Sequence, residues 1–308
     1  MGCCAQDVPV LDRLIFPMEA ARTMHLRASF VVALFGLSFV AAQSQNRTPV
    51  QSPHDLVADV IYNELRDRQC DSFWEYRSVR ITGSQDIVRE QIETGQGPIY
   101  RVLEDHNRPL DAEQREKEEQ RLQDLVTHPG AMTTVEQDHL KDEARMERVI
   151  KMLPDAFLYE YDGPAEGDDV RLTYRPNPAY VPATWEDRVV HALSGALVVN
   201  QRQKRMVSMK GTMLYRVDFG YGLLGYIDKG GIFEVRREQV SEARWKTSLV
   251  DVHIQGRVFL LHTVSKDQRE ERSNFRPVPH DISLAAAKQR LDKVAGTQAM
   301  AELTSAKH

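Results

Sequence analysis

The sequence predicts an α+β fold, one antiparallel sheet with helices laid against it. Three observations carry this reading. From Phe157 onward, strand-like segments follow one another with short turns between them, which is an antiparallel meander rather than the βαβ rhythm of a parallel sheet. Two helical stretches, within residues 111–153, interrupt an otherwise strand-rich chain. Several strands carry one apolar face, which a sheet must cover.

The elements follow in chain order. Residues 28–42, ASFVVALFGLSFVAA, are uncharged, follow Arg27 and end on small residues before Gln43 and Ser44. That is the pattern of a secretory signal peptide, so we expect cleavage after Ala42 and a periplasmic or secreted protein. The alternative is an uncleaved anchor, since the uncharged run to Asn46 approaches the ~18 residues of a membrane span. A start at Met18 or Met24 instead of Met1 would make the leader conventional. Gly2-Cys3-Cys4 lacks the Ser or Thr that myristoylation needs, because Gln6 stands there. Removing residues 1–42 takes away three acids and three bases, leaves the net charge at −5, and leaves Cys70 as the single cysteine. Core packing must then hold the exported chain together without an internal disulfide.

Residues 43–52 read as a flexible linker, 53–295 as one domain and 296–308 as a tail. Ser52 as N-cap, Pro53 at the first helical position and Asp55 reaching back start a helix. Val57, Val60, Ile61 and Leu65 carry it to about Arg68. From Phe73 the period becomes two, giving a strand over 74–81, a turn at Gly83-Ser84, and a hairpin of 87–93 with 99–103 around Gly95-Gln96-Gly97-Pro98. The insertion 111–153 comprises a charged, solvated helix and a second one with Leu140, Met146, Val149, Ile150 and Leu153 on one side, ended by Pro154. Strands at 157–161 and 170–174 flank an acidic loop, and Thr184 caps a short helix with Asp187 three residues on. Strands at 196–200, 205–219, 231–237, 245–254 and 257–265 precede a helix over 282–294.

Chemistry-bearing motifs are weak. Gly220-Tyr221-Gly222-Leu223-Leu224-Gly225 spells a dinucleotide fingerprint, but more turn residues follow where a helix is required, so these glycines read as sheet bends. Asp162, Glu166, Asp168 and Asp169 lack the register of a calcium loop. The ten histidines are scattered without zinc spacing, no nucleophile elbow is present, and Cys70 has no histidine neighbour. We therefore expect no catalytic residues, no metal and no cofactor. The net charge of −5 argues against nucleic acid as a partner.

The apolar faces say more. One parity of 205–219 holds Val207, Met209, Met213, Tyr215, Val217 and Phe219; one parity of 245–265 holds Val250, Val252 and Ile254. With Trp74 and Tyr76 of the first strand, these are the candidate ligand-binding residues. If the helices fill this surface, the protein is a packed domain; if they act as a lid, the surface is a pocket for an apolar ligand.

The order of elements resembles the periplasmic lipoprotein-carrier superfamily, the LolA/LolB-like proteins and their sensor relatives. The likeness is greatest from Leu193-Ser194-Gly195-Ala196-Leu197-Val198-Val199 through Arg205-Met206-Val207 to Val217-Asp218-Phe219-Gly220, and spans roughly residues 53–275. It implies a strongly curved half-barrel whose concave face, covered by helices, binds a lipid or an acylated protein without enzymatic chemistry. Membrane contact would be transient. The sensor relatives imply another envelope protein as an alternative partner. Carriers use an arginine near the early strands to fasten the lid, a region that holds Arg77 and Arg80 here. Asn274-Phe275-Arg276-Pro277-Val278-Pro279 and the helix after it depart from the pattern.

Overall fold

The computed structural model describes residues 51–70, 73–128, 130–219, 225–258 and 262–305. The expected signal peptide and most of the Gly220–Gly225 run lie outside the described residues. Helices α1 (Pro53–Cys70), α2 (Ala112–Thr127), α3 (Thr133–Ala156), α4 (Trp185–His191) and α5 (Leu284–Ser305) accompany a large sheet. Its strands are β1 (Trp74–Thr82), β2 (Gln85–Ile92), β3 (Ile99–Asp105), β4 (Arg108–Pro109), β5 (Phe157–Pro164), β6 (Asp169–Pro176) and β7 (Leu193–Asn200). They continue as β8 (Arg205–Met213), β9 (Val217–Phe219), β10 (Gly225–Ile227), β11 (Ile232–Ser241), β12 (Arg244–Val258) and β13 (His262–Pro277). The fold is α+β, and among the described residues the sheet is antiparallel throughout and not closed. Its path is β4-β3-β2-β1-β13-β12-β11-β8-β7-β6-β5, with β10 pairing β12 and β9.

Local chemistry accounts for the helix starts. The Ser52 hydroxyl accepts from the Asp55 N–H at 3.1 Å, and capping boxes at Asp111/Gln114 and Thr184/Asp187 begin α2 and α4. Pro154 does not end α3, which runs on to Ala156. The carbonyls exposed by that last turn find other donors: the Tyr159 hydroxyl at Leu153, the Asn177 side chain at Asp155 and the Asn177 N–H at Ala156.

Two hydrophobic clusters organise the described residues. The larger joins Leu56, Val57, Val60 and Ile61 of α1 and Met152, Leu153 and Ala156 of α3 to Leu172, Tyr174, Leu197, Val199, Met209 and Met213 of the sheet. Position 211 must be glycine, because the Tyr174 hydroxyl, bonded to the Lys210 carbonyl, occupies the space of a β-carbon. The smaller cluster packs Leu122 of α2 and Ala287 and Leu291 of α5 against Ile92 and Ile99.

Three strand expectations are corrected. The strand expected over 205–219 breaks after Met213 and resumes at Val217. Strand β12 passes through Gln255-Gly256, where the sequence reading placed a boundary, because Gly256 lets the Tyr226 backbone of β10 approach closely. Strand β13, with its run Lys266-Asp267-Gln268-Arg269-Glu270-Glu271-Arg272, lies between β12 and β1 in the middle of the sheet. The strand expected over 257–265 covers only its start, because the charged run after Ser265 carries no apolar period.

Candidate functional site

Cross-strand register decides which side chains share a face, because directly opposed residues point the same way. One row across the sheet reads Met209, Val235, Val250, Glu270, Arg80 and Ile87. The next reads Gly211, Phe233, Val252, Gln268 and Thr82. One face therefore changes from apolar to charged in a single step from β12 to β13.

The structure divides the candidate residues. Met209, Met213 and Val217 are buried in the larger cluster, and Phe219 and Ile254 pack at its margin. A β-carbon at Gly231 would lie 2.9 Å from Ile254 Cγ2 and 3.4 Å from Met213 Sδ, so that corner is filled. Val207 stays half-buried outside the cluster, because a bulge opposite Val198 and Val199 sends Met206 into it instead. Tyr215 sits in the break between β8 and β9, 44% exposed. Trp74 and Tyr76 are buried at the other end of the face: Lys246 Nζ lies 5.4 Å from the Trp74 ring, and the Tyr76 and Phe275 rings pack tilted with centroids 5.4 Å apart. The Tyr76 oxygen accepts from Gln91 at 2.5 Å, and burial pushes its hydroxyl up to about 12. Val235, Val250 and Val252 stay half-buried and belong to neither cluster.

Beside them is a group of charges that apolar patterning could not find. Glu270 is 4% exposed. It accepts from Ser78 Oγ at 3.2 Å, Arg272 Nε at 2.9 Å and Arg89 Nη2 at 3.5 Å, with Arg80 Nε at 3.9 Å. Burial alone would push the Glu270 carboxyl up; Arg272, Arg89 and Arg80 outweigh it and hold the group below its usual range. Arg80 also donates to Gln268 at 3.0 Å, while Arg89 and Arg272 lie over the rings of Tyr100 and Tyr76. The buried Nε atoms of Arg80 and Arg89 make no hydrogen bond. The sequence offers no alternation to find it by, because residues 266–272 are polar at every position.

No family model, curated protein or solved structure matches the chain. Its chemistry must be read from its own side chains.

Helix α1 is fastened to the sheet by ions. Arg205 pairs with Glu64 at 3.8 Å and Asp67 at 2.5 Å, Arg244 with Asp67 at 2.7 Å, and Arg237 with Glu64. Burial pulls Arg237 down to about 10. Neither Arg77 nor Arg80 takes part: Arg77 donates to Gln298 of α5, and Arg80 belongs to the Glu270 group. On the opposite face, Glu75 and Glu90 share Arg276, and Glu75 also holds Arg290 of α5. A cavity of about 330 Å³ lies between β3, α2 and α5, lined by Arg101, Leu103, Leu110, Glu118, Glu119 and Gln298. Its lining mixes these charged groups with the apolar Val102, Leu103, Leu110 and Ala295, and it is separate from the Val250 strip. Among the described residues, no group of three or more His, Cys, Asp or Glu could hold a metal ion.

Proposed function

We propose that the chain is an exported, non-enzymatic binding protein of the LolA/LolB-like kind, a strongly curved half-barrel. It takes the acyl chain of a lipid or lipoprotein on its concave face, where helices cover part of the surface. The observation that carries the reading is the state of Val235, Val250 and Val252. They continue the face of the main cluster, yet they stay half-buried and pack against neither cluster. Half-buried valines in a row offer about 0.8 kcal/mol for each methylene that a ligand buries on them. Native mass spectrometry of freshly purified protein should find co-purifying acyl species, and a fluorescent fatty acid should bind saturably. Val252→Asp should weaken that binding far more than it lowers the melting temperature of the empty protein. A folded wild type that binds no acyl probe sinks the proposal.

One observation favours a second reading, a packed module that binds another envelope protein without lipid. Met209, Met213 and Val217 lie in a filled core beneath α1. Under that reading the acyl titration is flat, and the protein is captured by a partner of the same compartment.

A further inference from the structure

The step from Val250 to Glu270 and Arg80 crosses two strand spacings, about 10 Å. Three guanidinium groups surround the one buried carboxylate of Glu270. The other acid that acts on this group, Glu93, accepts the Trp74 N–H at 3.1 Å and lies 3.6 Å from Lys246, so a cation of its own already balances it. The group thus carries an excess of two positive charges. Of the three, Arg89 is the one largely withdrawn from water, and a bound anion would add a counter-charge beside it that keeps all three arginines. The guanidinium edges remain within reach: the Arg80 side chain is 39% exposed and that of Arg272 30%, whereas Arg89 at 14% forms the floor.

We infer that Arg80, Arg89 and Arg272 form the head-group site for a long-chain carboxylate whose hydrocarbon tail runs along Val250, Val252 and Val235. This rests on the acyl-binding reading above and adds the charge of the ligand to it. Arginine suits a carboxylate because its fork of N–H groups matches the two oxygens. The tail direction follows from the register. Glu270 opposes Val250 and Gln268 opposes Val252, while Arg272 lies two residues beyond Glu270, so the arginines cluster at the Val250 end. From Val250 the tail would pass Val252, opposite the uncharged Gln268, toward Val235 and Phe233 on the neighbouring strand. Glu270 stays in the site as the residue that positions the arginines.

The test compares hexadecanoate with hexadecanol, each displacing the neutral dye N-phenylnaphthylamine from the full chain. Wild type should prefer hexadecanoate by about tenfold at low ionic strength, with the preference shrinking as salt is added. In Arg80→Gln with Arg89→Gln the preference should fall to about twofold, and hexadecanol affinity should hold. Should the double variant fail to fold, Arg80→Gln alone, the most exposed of the three, serves with the salt dependence of wild type. Acetate should not compete, because it lacks the tail. Equal affinity for both amphiphiles, or a preference that survives the substitutions, overturns the head-group site and leaves acyl binding standing. Displacement by neither amphiphile overturns acyl binding itself, and this site with it.

Discussion

Glu270 and Glu90 are both buried carboxyls, on the two strands that flank β1, and their surroundings push them in opposite directions. Three arginines hold Glu270 low, whereas burial, only partly offset by Arg276 and Arg77, raises Glu90. The linkage signs follow. A lowered folded-state pKa adds stability that is complete above the ordinary carboxyl value of 4.5 and is lost as pH falls through the lower value. A raised one adds stability that is complete in acid and is lost as pH climbs through the higher value. Glu270→Gln should therefore destabilise the protein by about 3 kcal/mol near neutrality, since it leaves three arginines without their carboxylate. That deficit should shrink only well below the ordinary carboxyl range. Glu90→Gln should cost least near neutrality and relatively more in acid. Urea unfolding from about pH 7 to about pH 3 checks both, and parallel pH profiles for the two variants would contradict the assignment. In the apolar cluster the expectation is simpler. Leu172→Ala, at a fully buried site, should cost about 2–5 kcal/mol in the same measurement.

At the scale of elements, α1 is joined to the sheet by an apolar face and by a buried ion group, and the two can be separated. Glu64→Gln with Asp67→Asn leaves Leu56, Val57 and Val60 in place but strips the partners of Arg205, Arg237 and Arg244. Amide exchange in α1 should then accelerate at least about tenfold, while α5 and β1–β3 keep their protection. Uniform acceleration across the molecule would mean that the ions hold the whole fold rather than the helix. The helices were legible in the sequence because capping residues and 3.6-residue spacing are local signals: Ser52, Asp111 and Thr184 each start a helix where expected. Strands with one apolar face were legible too. Strand β13 was not, because its alternate residues are Gln268, Glu270 and Arg272 and a polar face carries no hydrophobic period. The bulge that exchanges Val207 for Met206 was hidden for another reason, since pairing register depends on a partner strand. The charge group was hidden twice over, being assembled from β1, β2 and β13.

For the molecule as a whole, a sheet that does not close has two edges to protect. At one end β4 is only two residues, Arg108 and Pro109, too short to template another strand. At the other, β5 ends in Pro164 and exposes Glu160 and Asp162. These are devices against edge-to-edge association. Glu160→Val with Asp162→Val should turn β5 into an apolar edge and produce oligomers that grow with concentration, visible by size-exclusion chromatography with light scattering. A variant that stays monomeric at the same concentrations as wild type would show that β5 is protected in some other way.

The seam between β1 and β13 joins residues about two hundred positions apart, which gives the molecule a timetable as well as a shape. On a ribosome adding ~5–20 residues per second, β1–β3 would wait on the order of ten to forty seconds before the partner of β1 is made. Throughout that interval the backbone of β1 is an open template, with Trp74 and Tyr76 beside it. Slowing the last sixty residues with rare codons should lower the soluble yield more than slowing the first sixty after Pro53.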